Sequence, residues 1–432
     1  MSWDFSTEPE FQAKLDWITE FVREEIEPLD LLWGRKAYHP LSDDLRRVVD
    51  PLKQEVRDRD LWACHLGPEL GGHGYGQLKL ALMNEILGRS SWAPIIFGTQ
   101  APDTGNAEII AHYGTPEQKA EYLQPLLDGE IFSCYSMTEP HAGSDPKMFK
   151  TRAVKDGDEW VINGYKFFSS NARTSSFLIV MAVTNPDVSP YKGMSMFLVP
   201  TDTPGVIIER NIGLLGEPLG EGMHALIHYD DARVPSDALL GGEGQAFVIA
   251  QTRLGGGRVH HAMRTVGSCS RAFDMMCERV LSRETQGSLL AEKQSVQNYI
   301  ADSYAQIEQF RLFVLYTAWL IDQNTTAGTR KEIAAVKVLT AQVLHDVVYR
   351  AMHVHGALGV SNEMPFGGLW MQVPVMGIVD GPTEVHKATV ARQVLKDYRP
   401  APGLWPTQHL PGRIEAAKAK FAEQLETEVG NL

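Results

Sequence analysis

Asp380 lies in Val379-Asp380-Gly381-Pro382-Thr383-Glu384-Val385-His386, a carboxylate at the mouth of a Gly-Pro turn that opens a helix. A carboxylate held at such a junction can serve as a fixed base aimed at a ligand. Taken alone, an Asp-Gly pair also reads as a solvated turn or a helix cap. Glu384 follows four residues on, about one helical turn away, and is a second carboxylate at the same junction. Tyr135-Ser136-Met137-Thr138-Glu139-Pro140-His141-Ala142-Gly143-Ser144-Asp145 gathers small residues and hydroxyls. Such a stretch offers backbone N–H groups and side-chain hydrogen bonds to a polar planar ligand. Arg283-Glu284-Thr285-Gln286-Gly287 with Lys293-Gln294 reads, taken alone, as a solvated helix-end arginine, although a planar guanidinium fork also suits a diphosphate. His353-Val354-His355-Gly356-Ala357-Leu358-Gly359 ends in glycines, which let backbone amides approach an anion closely. No metal site is expected. His353 and His355 lack an evident third ligand, and His260-His261 lacks the i, i+4 spacing of a helical metal pair.

Three blocks of secondary structure must position these residues. Up to about residue 130 the pattern is helical, with Leu15, Ile18 and Phe21 at helical spacing and Leu41-Ser42-Asp43-Asp44 capping a run from Leu45 to Asp58. Leu78 to Leu87 and Asp103 to Tyr113 continue it, and Pro68 to Gly74 is a glycine loop. From 131 to 244, short β-formers at 150–154, 159–162, 178–183, 194–199 and 226–229 alternate with turn residues, predicting a small β barrel or sandwich. From 245 to 399 long amphipathic segments, about 247–282, 292–324, 330–357 and 382–397, predict an antiparallel helical bundle. A tail, 400–432, is Pro-rich from Pro400 to Pro411 and then carries a last helix expected over Arg413 to Val429.

Composition narrows the function classes. The 432 residues are 44% apolar and 22% charged, an ordinary globular balance. A net charge of −14 argues against nonspecific nucleic-acid binding, although a local basic pocket still serves an anionic ligand. Cys64, Cys134, Cys269 and Cys277 form neither a CxxC pair nor a zinc spacing, which favours a reducing compartment. Met1 to Phe5 lacks a signal-peptide core, Gly430-Asn431-Leu432 is no peroxisomal tripeptide, and no apolar run spans a bilayer. The expectation is a cytoplasmic protein without an integral membrane segment.

Thr138 to Asp145 resembles the acyl-CoA dehydrogenase signature Thr-Glu-Pro-x-Ala-Gly-Ser-Asp almost letter for letter. Other stretches follow in the family's order. Ala111 to Lys119 resembles its helix junction, and Asn163-Gly164-Tyr165-Lys166-Phe167-Phe168-Ser169-Ser170-Asn171 resembles Asn-Gly-x-Lys-x-Trp-Ile-Thr-Asn. Val234-Pro235 with Leu239 to Gly244 resembles the linker into the bundle. Asp380 to Glu384 resembles the catalytic segment Glu-Gly-Thr-x-Glu/Gln, with Asp in place of Glu. The resemblance reaches about Arg399. It implies a mainly α fold with an N-terminal helical domain, a middle β domain and a C-terminal four-helix bundle, and FAD between β domain and helices. Carried over by position, the flavin ring meets Tyr135, Met137, Thr138, Phe168 and Ser170, with Gly143 and Ser144 beside them and Pro382 and Glu384 near the ring. Phe168 replaces the family's Trp and Ser170 its Thr. Arg283, Thr285, Lys293 and Gln294, and His353, Val354, His355, Gly356 and Ala357, are implied to meet the diphosphate half. Both sets would reach the FAD of a neighbouring subunit, which implies a homodimer or homotetramer. Ser144 and Arg258 are implied to touch acyl-CoA.

The resemblance further implies α-proton abstraction from an acyl thioester by Asp380, with the β-hydrogen passing as hydride to flavin and trans-2-enoyl-CoA as product. The Asp380 backbone N–H and a flavin ribityl hydroxyl would hold the thioester oxygen. Some members carry the base just before the arginine matching Arg258; here that position is Gly257. Asp is shorter than Glu by about 1.5 Å, so loop or substrate must come closer, and Glu384 is the second candidate. Gly-x-Gly-Arg-x-His-His together with Asp-Gly-Pro is similar to a subgroup using Asp as base, which includes members acting on long, very long or modified acyl chains. Electron-transfer flavoprotein is the acceptor implied by family analogy, and fatty acid β-oxidation the setting. A flavin oxidase resembling nitroalkane oxidase and a non-catalytic acyl-CoA-binding member are the alternatives.

Overall fold

The computed structural model describes residues 6–34, 37, 41–70 and 72–423. Met1 to Phe5 and the end of the expected last helix, beyond residue 423, lie outside the described residues. The chain divides into two compact units, 1–387 and 388–432.

The first unit begins with helices α1 (Pro9–Phe21), α2 (Glu27–Trp33), α3 (Asp43–Arg57), α4 (Gly76–Leu87), α5 (Ala93–Ile96) and α6 (Asp103–Tyr113), then the short α7 (Pro116–Gln118) and α8 (Gln124–Leu127). Local chemistry fixes their starts. The Ser42 hydroxyl accepts from the Leu45 N–H at 3.3 Å, and Leu45, Val49, Leu52 and Val56 form the buried stripe of α3. Thr115 and Gln118 cap one another around Pro116.

Seven strands follow: β1 (Ser133–Ser136), β2 (Arg152–Asp156), β3 (Glu159–Lys166), β4 (Phe177–Val183), β5 (Met194–Pro200), β6 (Val206–Ile212) and β7 (His224–Pro235). They form one curled sheet in the order β1-β4-β2-β3-β7-β6, with β5 also paired to β4. β4 is apolar throughout because both its faces are covered. Phe177, Ile179 and Met181 pack with Ile109, Ile110 and Ile249 on the helical side, whereas Leu178, Val180 and Ala182 join Trp160, Ile162 and Ile227. β1 and β6 fall outside the expected strands. β1 is hidden in the Tyr135 motif, and the half-exposed β6 carries charges at Glu209 and Arg210.

Helices α9 (Ala246–Ser282), α10 (Gln294–Gly328), α11 (Arg330–His355) and α12 (Phe366–Ile378) form the bundle, with the hairpin β8 (Glu284–Thr285) and β9 (Ser288–Leu289) between the first two. α12 is a helix the sequence pattern missed. Three glycines and Pro374 mask it, and packing on α11 overrides their poor propensity. α4 crosses α9 at backbone contact. A Cβ on Gly267 would lie 2.0 Å from the Glu85 carbonyl oxygen, and Ser268 Oγ donates to the Gly88 carbonyl at 2.8 Å. The N-terminal helices therefore share one core with the bundle, in which Ile18, Val49 and Met83 join Met263, Val314 and Val347. The turn after α12 leads into α13 (Thr383–Leu395), and the second unit contains α14 (Leu410–Lys420). No helix among the described residues is long and apolar enough to cross a membrane.

Candidate active site

The turn between α12 and α13 is built on two successive positive φ angles, +55° at Asp380 and +109° at Gly381. Asp tolerates the left-handed region better than most side chains, and glycine enters it freely. The Asp380 carbonyl is held from two sides: Arg258 Nε on α9 donates to it at 2.9 Å, and His386 Nε2 on α13 at 3.3 Å. A carbonyl only accepts, so Nε2 is the protonated nitrogen of His386.

The Asp380 side chain is 12% exposed and points at α9. A Cβ on Gly257 would lie 2.9 Å from its Oδ2. The missing side chain at 257 is therefore what lets the short carboxylate seat against the helix. Gly257→Ala is expected to displace that carboxylate without unfolding the protein, since Ala favours a helix over Gly by about 1 kcal/mol. A shift of about 1 Å costs roughly a hundredfold in rate. The check is turnover and thermal midpoint side by side, with turnover falling and the midpoint unchanged or higher.

Two more polar groups join His386 around Asp380. His261 Nε2 lies 3.5 Å from its Oδ2, and burial, against the pull of Asp380, lowers that imidazole to about 4. Burial likewise lowers His386 to about 4. Lys337 on α11 is fully buried, donates to the Met376 carbonyl and is lowered to about 8 by burial, with Asp380 opposing. Sequence reasoning missed Lys337. Its trace was a lone charge on the buried stripe of Ile333, Val336, Thr340 and Leu344. Glu108 on α6 was missed too: a Cβ on Gly256 would lie 2.9 Å from its Oε2, and burial raises its carboxyl to about 8. Gly256 and Gly257 thus leave room for two carboxyl groups. Arg253, one turn earlier, lies over the Tyr135 ring at 3.9 Å and donates from Nε to Asn106 at 2.8 Å.

Buried neutral histidines continue beyond the turn. His65 and His260 neighbour one another, and both nitrogens of His65 and Nε2 of His260 are buried without a hydrogen-bond partner. Burial lowers His65 to about 4, from the usual 6.5. The unfolded chain takes up this proton near pH 6.5 and the folded chain only near pH 4, so protonation favours unfolding across that window. Stability should fall as pH drops from about 6.5 to about 4. His65→Leu is expected to flatten that slope in urea titrations at pH 5 and 7. At pH 7 it should cost little, because it removes two unsatisfied polar atoms.

The residues expected around the flavin ring converge on one end of the sheet. The Phe167 N–H donates to the Thr138 carbonyl at 2.8 Å, and the Ser136 hydroxyl lies 3.1 Å from that of Ser169. Glu139 and Lys166 pin this end together. Their ion pair at 3.0 Å is 1% and 0% exposed, and Lys166 Nζ also donates to the Met137 carbonyl at 2.8 Å. Glu139 accepts further bonds from the Lys150 and Thr151 N–H groups at 2.7 and 3.0 Å. Burial pushes the Glu139 carboxyl up, but Lys166 and these amides outweigh it and hold it low. Phe168, at φ +59°, is 40% exposed, with half-buried Ser170, Tyr135, Met137 and Thr138 nearby in the fold. An open aromatic wall flanked by hydroxyls fits a flat flavin ring. Gly143 and Ser144 are exposed in the loop after Thr138, Pro382 is half-buried at the turn, and Glu384 is exposed on the first turn of α13.

The other candidate residues lie elsewhere. Arg283, Thr285, Lys293 and Gln294 surround the β8–β9 hairpin at the far end of α9, where the Leu290 N–H donates to the Arg283 carbonyl at 2.8 Å and Lys293 bonds Ser288. His353, Val354, His355, Gly356 and Ala357 end α11 at the same end of the bundle. His355 is buried there with Arg279 and Glu278 as charged neighbours, while His353, Gly356 and Ala357 are exposed. Arg258 and Ser282 are twenty-four residues apart on α9, about 36 Å at ~1.5 Å per residue. The hairpin and the end of α11 thus lie far along the bundle from the Asp380 turn.

Comparison with known proteins agrees with this architecture. Three family profiles match in order: acyl-CoA dehydrogenase N-terminal domain over residues 8–130, middle domain over 134–223 and C-terminal domain over 244–395. A probable acyl-CoA dehydrogenase FadE2 of Mycobacterium tuberculosis is 41% identical over 91% of this chain and 93% of its own length. Acyl-CoA dehydrogenase family member 11 of Gallus gallus is also 41% identical, over 81% of this chain. The match spans only 45% of that longer relative. Among solved structures, a putative acyl-CoA dehydrogenase from Mycobacterium abscessus superposes with a TM-score of 0.83 at 37% identity, covering 91% of this chain and all of the other.

Proposed function

The chain belongs to the acyl-CoA dehydrogenase family, and on that premise we propose that it is an FAD-dependent dehydrogenase turning an acyl-CoA thioester into the trans-2-enoyl-CoA. Asp380 is the base. The observation that carries this reading is its seat: a carboxylate 12% exposed, set in the notch left by Gly257, on a turn held by Arg258 and His386. Asp380 takes the α-proton onto its side chain, and its backbone N–H holds the thioester oxygen. Arg258 and Lys337 flank the carboxylate with positive charge, and neutral His261 leaves it free of a competing ion pair at neutral pH. FAD, when bound against Tyr135, Met137, Thr138, Phe168 and Ser170, supplies the hydride acceptor. Ser144 lies in the loop expected to meet the acyl-CoA.

The separation along α9 supports a homo-oligomer in which the hairpin and α11 residues of one subunit complete the FAD site of another. Electron-transfer flavoprotein is the proposed acceptor. The test is anaerobic mixing of the flavin-loaded protein with acyl-CoAs from short to very long, and with nitroalkanes. Bleaching by an acyl-CoA with enoyl-CoA as product supports the reading. Bleaching by nitroalkanes alone, or rapid peroxide formation in air, supports an oxidase instead.

A further inference from the structure

His224 opens β7 directly behind the turn that carries Phe168 and Ser170, and the proposed reaction leaves it without a role. Its imidazole stacks on the Phe168 ring, with centroids 4.6 Å apart and planes inclined by 24°. Its Nδ1 lies 2.8 Å from Ser170 Oγ. Its Nε2 is buried and has no hydrogen-bond partner. Burial keeps the ring neutral, lowering it to about 4 against the pull of Glu217.

A neutral imidazole carries one N–H, so two arrangements compete. With hydrogen on Nε2, an N–H is buried and orphaned, and Nδ1 consumes the Ser170 hydroxyl proton. With hydrogen on Nδ1, the buried orphan is only a bare acceptor. Orphaned buried N–H groups are the rarer and costlier case. Nδ1–H therefore donates to Ser170 Oγ, and the hydroxyl hydrogen stays free to point away from His224.

We infer that His224 is a positioning residue, which fixes Ser170 as a hydrogen-bond donor to the flavin ring and backs the Phe168 wall against which that ring lies. The inference rests on the FAD reading above. A donor at the ring raises its affinity for electrons, so His224 acts on the flavin through Ser170 without touching it.

Two measurements on the flavin-loaded protein test this. In nitrogen-15 histidine spectra, with His224→Phe identifying the signal, His224 is expected as the Nδ1–H tautomer; an Nε2–H tautomer overturns the inference. In a reduction titration against a reference dye, His224→Phe and Ser170→Ala should each shift the equilibrium toward oxidised flavin by about fivefold to tenfold, as for one hydrogen bond. The double variant should shift no further than Ser170→Ala alone. His224→Asn, whose amide N–H replaces Nδ1–H, should restore most of the shift. Additive shifts, or no shift in His224→Phe, overturn the inference. A protein that takes up no FAD overturns the flavin reading itself, while the tautomer still reports on the His224–Ser170 bond.

Discussion

Asp380→Asn is expected to retain FAD and to lose substrate-driven flavin bleaching by a factor of about 10² to 10⁴, the usual contribution of a positioned general base. The substitution keeps the shape of the side chain and removes its basicity. The turn should survive, because its two anchors, Arg258 Nε and His386 Nε2, bind the backbone carbonyl and not the carboxylate. Asn also tolerates the left-handed φ of +55° at this position. Stopped-flow bleaching with a saturating acyl-CoA, beside the visible spectrum and thermal midpoint of the same protein, checks this. Near-normal bleaching would move the base to another group, and Glu384 would be examined next.

Breaking the Glu139–Lys166 pair is expected to have the largest effect on stability. Both side chains are out of water, at 1% and 0% exposed. Glu139→Gln leaves the Lys166 ammonium buried against the Phe149 ring, 4.6 Å from its centroid, and without its counter-ion. Removing one partner of such a pair costs about 3–5 kcal/mol. Because Lys166 also holds the Met137 carbonyl, the loss should loosen the end of β1 and weaken FAD retention. Replacing both partners, as in Glu139→Gln with Lys166→Met, removes the uncompensated charge and should recover much of the stability. Urea unfolding of the two singles and the double is the check. A double variant no more stable than Glu139→Gln would show that the charge is not what the fold depends on.

The fold order was legible because its signals are local: helical stripes such as Leu45, Val49 and Leu52, and the turn pairs between strands. α12 was not legible, since its glycines and proline argue against a helix that only packing on α11 makes stable. The surroundings of Asp380 were legible only in part. Its segment and Arg258 stand out in sequence, whereas Lys337, Glu108 and Arg253 reach the site from three different helices, α11, α6 and α9. Their convergence depends on how those helices pack, which no spacing along the chain records. Gly257 illustrates the same limit. In sequence it only ruled out a rival base; in three dimensions it provides the space that Asp380 occupies. His224 was missed for a similar reason, being fifty-four residues from the Ser170 it bonds.

In the proposed reaction Asp380 takes a proton from the α-carbon of an acyl-CoA while a flavin bound in the same site takes the β-hydrogen. The most direct measurement is anaerobic single-turnover mixing of the FAD-loaded protein with α-deuterated, β-deuterated and unlabelled acyl-CoA. The proposed reaction predicts bleaching that yields the trans-2-enoyl-CoA, slows with either label and depends on Asp380. Flavin that stays oxidised across the whole acyl-CoA range, or bleaching indifferent to the α-label and to Asp380→Asn, would contradict it.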